Sequence, residues 1–233
     1  METPTLRDIE WASVLYTLTS GYDEDYVTYI RKLDGYRPFD EKKQEGDFKP
    51  GDVIIEFLHK WHTQGVPSAI SGELTEKIKK SADRIDSLLE VPLHEVTESD
   101  IKDLYNQFIN IKGFGPTATA KTLHLLCPET FIMWDGEIIK DFKDYLEKHR
   151  KKYAKGTQIY VEFMREESER FLTVLSDNSV SALNELLEKL SKYDGTEFYK
   201  KTKAKIIDEY NWLTITRDVK IPFQMRISEC IKL

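Results

Sequence analysis

Apolar residues recur along this chain at helical spacing. Leu6, Ile9, Ala12, Leu15 and Leu18 return every three residues, and Val53, Ile54, Phe57, Leu58 and Trp61 form a second stripe. Leu74, Ile78, Ala82, Ile85, Leu88 and Leu89 form the most regular one. Others run through Ile101, Leu104, Tyr105, Phe108 and Ile109, through Ile138, Ile139, Phe142, Tyr145 and Leu146, and through Val180, Leu183, Leu186, Leu187 and Leu190. Each fits a repeat of 3.6 residues rather than the repeat of two of a half-buried strand. Thr97 and Asp100 precede the Ile101 stripe in a capping-box pattern.

Breakers fall between the stripes. Pro38, Gly46, Pro50 and Gly51 bracket a polar stretch, Asp40 to Lys49, expected to be an exposed loop, and Gly65 to Gly72 is another. No proline occurs from Glu129 to Ile221, which suits long helices. Only short segments such as Leu213 to Thr216 look strand-like. The expected fold class is all-α, with roughly eight to ten helices. One helical domain is expected over residues 1–233, split into two lobes that no linker marks.

Composition narrows the class. With 40% apolar and 32% charged residues, the chain can build a core and is not a disordered polyampholyte. No apolar run is long enough to span a bilayer, and residues 1–20 lack the basic start and apolar block of a signal peptide. Two isolated cysteines, Cys127 and Cys230, exclude a four-cysteine zinc or iron–sulfur site, and a reducing cytoplasm is the expected setting. In a prokaryote that would mean association with the nucleoid. The net charge of −7 does not advertise a nucleic-acid binder. It is uneven, however: residues 1–100 carry −9 and residues 101–233 carry +2. Lys140 to Lys155 holds seven basic side chains against three acidic ones, and Lys200, Lys201, Lys203 and Lys205 make a smaller patch. A polyanion site is expected in the second half.

Residues 108–138 carry the most information. An apolar helix ends at Ile111, Gly113-Phe114-Gly115 can turn sharply, and Pro116 suits the first turn of a new helix that runs to Leu126. The second helix opens with free N–H groups and a positive dipole end, a seat for phosphate. Thr117 could add a hydroxyl there and Lys112 a charge. After a short connection, Asp135 precedes Gly136-Glu137-Ile138, where its carboxylate would cap a third helix.

This stretch resembles the helix-hairpin-helix of the DNA glycosylase superfamily that includes endonuclease III and the oxoguanine and alkylpurine glycosylases. The matching residues are Gly113-Phe114-Gly115, the small-residue helix with Ala118 and Ala120, and Asp135, 18 residues after Thr117. The motif covers about residues 101–127, and the close match about 30 residues of the chain. The resemblance implies an all-α glycosylase-like fold with the hairpin and a catalytic Asp135 at a cleft between two lobes. It implies a monomer acting on damaged duplex or single-stranded DNA. The target nucleotide is flipped, and Asp135 stabilises the oxocarbenium-like sugar as the base departs. Lys112, Gly113, Phe114, Gly115, Thr117 and Trp134 are the implied DNA-binding residues. No metal or other cofactor is expected.

The family's lyase lysine would stand at Thr117, which cannot form a Schiff base. Lys121, one turn further on, is the remaining candidate nucleophile or phosphate contact. Simple base excision is therefore the expected reaction, with weak lyase activity through Lys121 as an option. Phe114 is expected to plug the hairpin, Trp134 to line a base pocket or the core, and His124 to be structural. Glu56, His59 and His62 share a face, but a carboxylate-bridged diiron site needs a second Glu-x-x-His, which is absent. The alternative function is a catalytically inactive helix-hairpin-helix nucleic-acid-binding protein. A helical interaction protein with no nucleic-acid role is the third reading.

Overall fold

A computed structural model describes residues 3–39, 48–149, 156–194 and 198–221. Those residues are all-helical, with no strand among them. The helices are α1 (Leu6–Thr19), α2 (Tyr22–Asp34), α3 (Pro50–Lys60), α4 (Ser71–Lys80), α5 (Ala82–Leu88), α6 (Glu98–Ile109), α7 (Pro116–Leu126), α8 (Gly136–Lys148), α9 (Thr157–Leu172), α10 (Asp177–Asp194) and α11 (Lys203–Asn211). None is long and apolar enough to cross a membrane. Residues 1–2, 40–47, 150–155, 195–197 and 222–233 lie outside the description, and with them most of the expected Asp40–Lys49 loop, the end of the Lys140–Lys155 cluster, and Cys230.

Each stripe falls on a helix, while α2, α9 and α11 lie outside all of them, and three details differ. The run from Leu74 to Leu89 is two helices, broken at Ser81. Leu213 to Thr216 is no strand: α11 continues into a π-helical turn, Trp212–Thr216, closed by Arg217 N–H donating to Trp212 O at 2.9 Å. On α1 the buried face is Ile9, Ala12, Ser13 and Tyr16, while Leu18 is 58% exposed. A helix turns about 100° per residue, so a strict three-residue repeat has drifted roughly 120° by Leu18. Elsewhere the local chemistry acts as expected. Thr97 Oγ1 accepts from Asp100 N–H at 3.2 Å, and the Asp100 carboxylate accepts from Thr97 N–H at 3.1 Å. The proline-free stretch supplies the two longest described helices, α9 and α10, of 16 and 18 residues.

The two lysines read as part of a surface patch are buried instead. Lys201 Nζ donates to Asp23 Oδ2 at 2.8 Å, Glu209 Oε1 at 2.6 Å and Thr17 Oγ1 at 2.8 Å. Lys205 Nζ lies 3.1 Å from Glu209 Oε1 and 4.2 Å from the centre of the Tyr16 ring. Ser13 Oγ adds a hydrogen bond to Glu209 Oε2 at 2.5 Å. The network ties α1, α2 and α11 together. Burial works against the Asp23 carboxylate, but Lys201 and Lys205 outweigh it and hold its pKa below the usual range. Buried charges persist only when paired this way.

Two contacts place α7. His124 is buried, with Nδ1 2.6 Å from Phe131 O and Nε2 2.8 Å from Tyr26 Oη. Burial depresses its pKa to about 3, so the ring is neutral, donates from Nδ1 and accepts the tyrosine hydroxyl at Nε2. At the other side, α3 packs on α4 where Gly51 meets Thr75, whose Oγ1 accepts from Gly51 N–H at 3.1 Å. A Cβ at Gly51 would overlap the Ser71 carbonyl and the Thr75 backbone nitrogen, neither of which can swing away. Gly51→Ala is expected to destabilise the fold by about 2–3 kcal/mol, as overpacking against backbone does. Gly72→Ala, where a Cβ meets open space, is expected to be within about 0.5 kcal/mol of the parent. Urea unfolding of the pair separates a helix-crossing constraint from a general glycine effect.

Candidate functional site

A cleft of about 700 Å³ opens where α7, the start of α8, the end of α3 and the π turn converge. It takes Thr117 and Lys121 from α7, Trp134 and Asp135 from the segment entering α8, and Asp208 from α11. Tyr16, Tyr22, Trp61 and Trp212 supply aromatic walls.

Asp135 is held by three short hydrogen bonds. Its Oδ1 accepts from Glu137 N–H and Ile138 N–H, both at 3.0 Å, which caps α8. Its Oδ2 accepts from Thr216 Oγ1 at 2.6 Å. The π turn is what brings Thr216 within reach, because it winds one extra residue into the end of α11. The carboxylate is thus fixed on both oxygens and sits at the positive end of a helix dipole.

Lys121 is mostly buried and aims its amine at the end of α3. Nζ donates to Trp61 O at 3.1 Å and Thr63 Oγ1 at 3.2 Å, and lies 5.5 Å from the Trp61 ring centre. Both acceptors are presented by a Schellman turn: His62 N–H bonds His59 O at 3.1 Å, and Thr63 N–H bonds Leu58 O at 2.8 Å. The left-handed position of that turn, normally glycine, is His62 with φ +50°. Strain of that kind costs roughly 1 kcal/mol and is retained where the turn matters. Burial lowers the pKa of Lys121, while Asp208 and Asp135 pull it back up.

The hairpin forms as a turn between α6 and α7. Gly113 has φ +87°, and a side chain there would strike the Pro67 ring, so both backbone angle and space demand glycine. Phe114 is buried and plugs the core. Lys112, Gly113 and Gly115 are exposed and lie outside the cleft lining. Helix α7 starts at Pro116 with Gly115 as an N-cap that offers no side chain, so the amides after Pro116 in its first turn have no side-chain cap. Trp134 lines the cleft but is only 1% exposed; its Nε1 donates to Pro116 O at 3.1 Å, and its ring packs on Tyr160 and Phe163. It braces the hairpin against the segment that carries Asp135. His59 bonds Val66 O at 2.9 Å and Glu56 pairs with Lys32, so Glu56, His59 and His62 do not converge.

Sequence reasoning did not bring Tyr16 and Tyr22 to the far wall. Tyr16, Tyr22 and Trp212 interlock at ring separations of 5.3 and 5.8 Å, and the Arg217 guanidinium lies 4.6 Å over the Trp212 ring at the rim. No family model, no curated protein and no solved structure matches this chain. The geometry at Asp135 makes a stability prediction that needs no ligand. Asp135→Ala removes the α8 cap and is expected to cost about 1 kcal/mol, whereas Asp135→Asn keeps a capping oxygen and is expected to cost less than about 0.5 kcal/mol. Denaturant midpoints of the two variants check it.

Proposed function

We propose that the chain is a DNA glycosylase of the helix-hairpin-helix kind, with a glycosylase-like fold, that excises a damaged or modified base. One arrangement supports the reading. Asp135, the carboxylate at the spacing the resemblance assigns, lines one cleft with Lys121 and an aromatic wall. A flipped base would stack on Tyr22 or Trp212, since an aromatic face accepts any base. Asp135 then faces the sugar. Its charge stabilises the oxocarbenium-like centre as the glycosidic bond breaks, and water completes the exchange. Because three hydrogen bonds already hold the carboxylate, little reorganisation is needed when charge develops.

The flanking phosphates fall to the exposed parts of the hairpin. The open amides at the start of α7, with Thr117 beside them, suit one phosphate, and Lys112 and Arg217 suit its neighbours. Lys121 has two roles open to it. Its lowered pKa raises the fraction of free amine, which a Schiff base at the sugar requires. Held by Trp61 O and Thr63 Oγ1, it equally serves as the cation that balances Asp135.

Duplex and single-stranded oligonucleotides, each carrying one uracil, hypoxanthine, oxoguanine, alkylated purine or abasic site, test the proposal. Base release on at least one is expected, reduced at least ~10²-fold in Asp135→Asn with DNA binding retained. Release that is unaffected by the substitution removes Asp135 from the chemistry. DNA binding without base release from any substrate supports the inactive binding protein instead. If strand scission precedes alkali treatment, a borohydride-trapped adduct is expected from the parent protein and not from Lys121→Ala.

A further inference from the structure

Asp208 is the buried carboxylate of a cleft that also carries Asp135 and the exposed Glu137, and its surroundings differ from those of Asp135. The residue is 6% exposed and lines the cleft, and its carboxylate accepts no hydrogen bond from any described residue. Its nearest cation, Lys205 Nζ, stands 3.7 Å away, beyond hydrogen-bond length. The short contacts of the buried network are already balanced, with Lys201 and Lys205 against Asp23 and Glu209. A third carboxylate charge there would be unmatched. A proton on Asp208 removes the imbalance.

The groups around it agree. On its own helix stand Lys205 and Glu209; Tyr16 faces it from α1, Tyr26 from α2, Lys121 from α7, Asp135 from the start of α8 and Tyr160 from α9. Burial is the largest influence and raises the Asp208 pKa to about 7; Glu209 and Asp135 add to the rise, while Lys205 and Lys121 oppose it. Tyr16, Tyr26 and Tyr160 are pushed well above their usual range and Lys205 is held charged, so none of these four titrates near neutrality.

We infer, resting on the glycosylase reading above, that Asp208 is a second catalytic residue of this cleft, the acid that protonates the leaving base, and that the substrate is accordingly a neutral base. A neutral base leaves as an anion unless a proton reaches it. A cationic N-alkylated purine leaves neutral without one. The step balances simply: the Asp208 proton goes to a ring nitrogen of the base, and the glycosidic electron pair goes to that base. Water then gives its hydroxyl to the sugar carbon and a proton that restores Asp208. Asp135 and Asp208 divide the work, one holding charge beside the sugar and one holding a proton for the base.

Duplex oligonucleotides carrying one hypoxanthine, as the neutral base, or one 7-methylguanine, as the cationic base, provide the test under single turnover from pH 5.5 to 9. Hypoxanthine release by the parent protein is expected to fall about tenfold per pH unit above about 7, as the acid form is lost. Asp208→Asn is expected to slow hypoxanthine release by ~10²-fold or more and to flatten that limb. Any release of 7-methylguanine should show neither effect to a comparable degree. The parent's pH profile stands even if the variant does not fold. A profile flat across neutrality, or an Asp208→Asn rate within about threefold of the parent, overturns the acid while leaving a glycosylase in place. Release of 7-methylguanine alone overturns the neutral-base assignment in the same way. Release of neither base by the parent, with no activity on other lesions, takes down the glycosylase reading and this inference together.

Discussion

The structure depends on two lysines that have been taken out of water. Lys201 and Lys205 stand among α1, α2 and α11, and every short contact they make is to an acid, a hydroxyl or an aromatic ring. Two buried ammonium groups are costly in isolation and tolerable only in company. Asp23 and Glu209 are therefore as necessary to the lysines as the lysines are to them. This mutual requirement sets the position of α11, and α11 sets Asp208 and the π turn. The cleft inherits its far wall from a charge-balancing problem in the core.

The rest of the cleft is made of helix ends. The C-terminus of α3 folds into a Schellman turn and presents acceptors to Lys121. The N-terminus of α8 supplies amides to Asp135, and α7 begins with amides that no side chain caps. Ends of helices are where backbone groups lack internal partners, so a site assembled from them comes with polarity already oriented. The aromatic rings complete it by excluding water on the side where no helix end faces.

Most of the helices and the local caps were readable from the chain because they rest on interactions within a few residues. Thr97 with Asp100, Asp135 with Ile138, and the left-handed Gly113 are of this kind. The far wall was not readable, because Tyr16, Tyr22, Trp61 and Trp212 come from separate elements that no single periodicity connects. Lys201 and Lys205 looked solvated for the same reason: Asp23, which pairs with Lys201, lies 178 residues away. One local signal existed. Lys205 and Glu209 are four apart on one helix, the spacing of a facing pair, and the neighbouring Ile206 and Ile207 mark that helix as buried all round. His62 was the opposite case, since a left-handed turn normally announces itself with glycine.

The π turn makes chain length itself part of the cleft. One residue more than an α-helix needs has been wound in before Arg217. Loss of any single residue between Trp212 and Thr216 would let the helix relax to its ordinary pitch and rotate everything beyond by about 100°. Thr216 would swing away from Asp135, and Arg217 would leave the face of Trp212. Substitutions along this turn alter the wall piecemeal, whereas a one-residue deletion dismantles it as a unit. The segment therefore tolerates changes of side chain far better than changes of length.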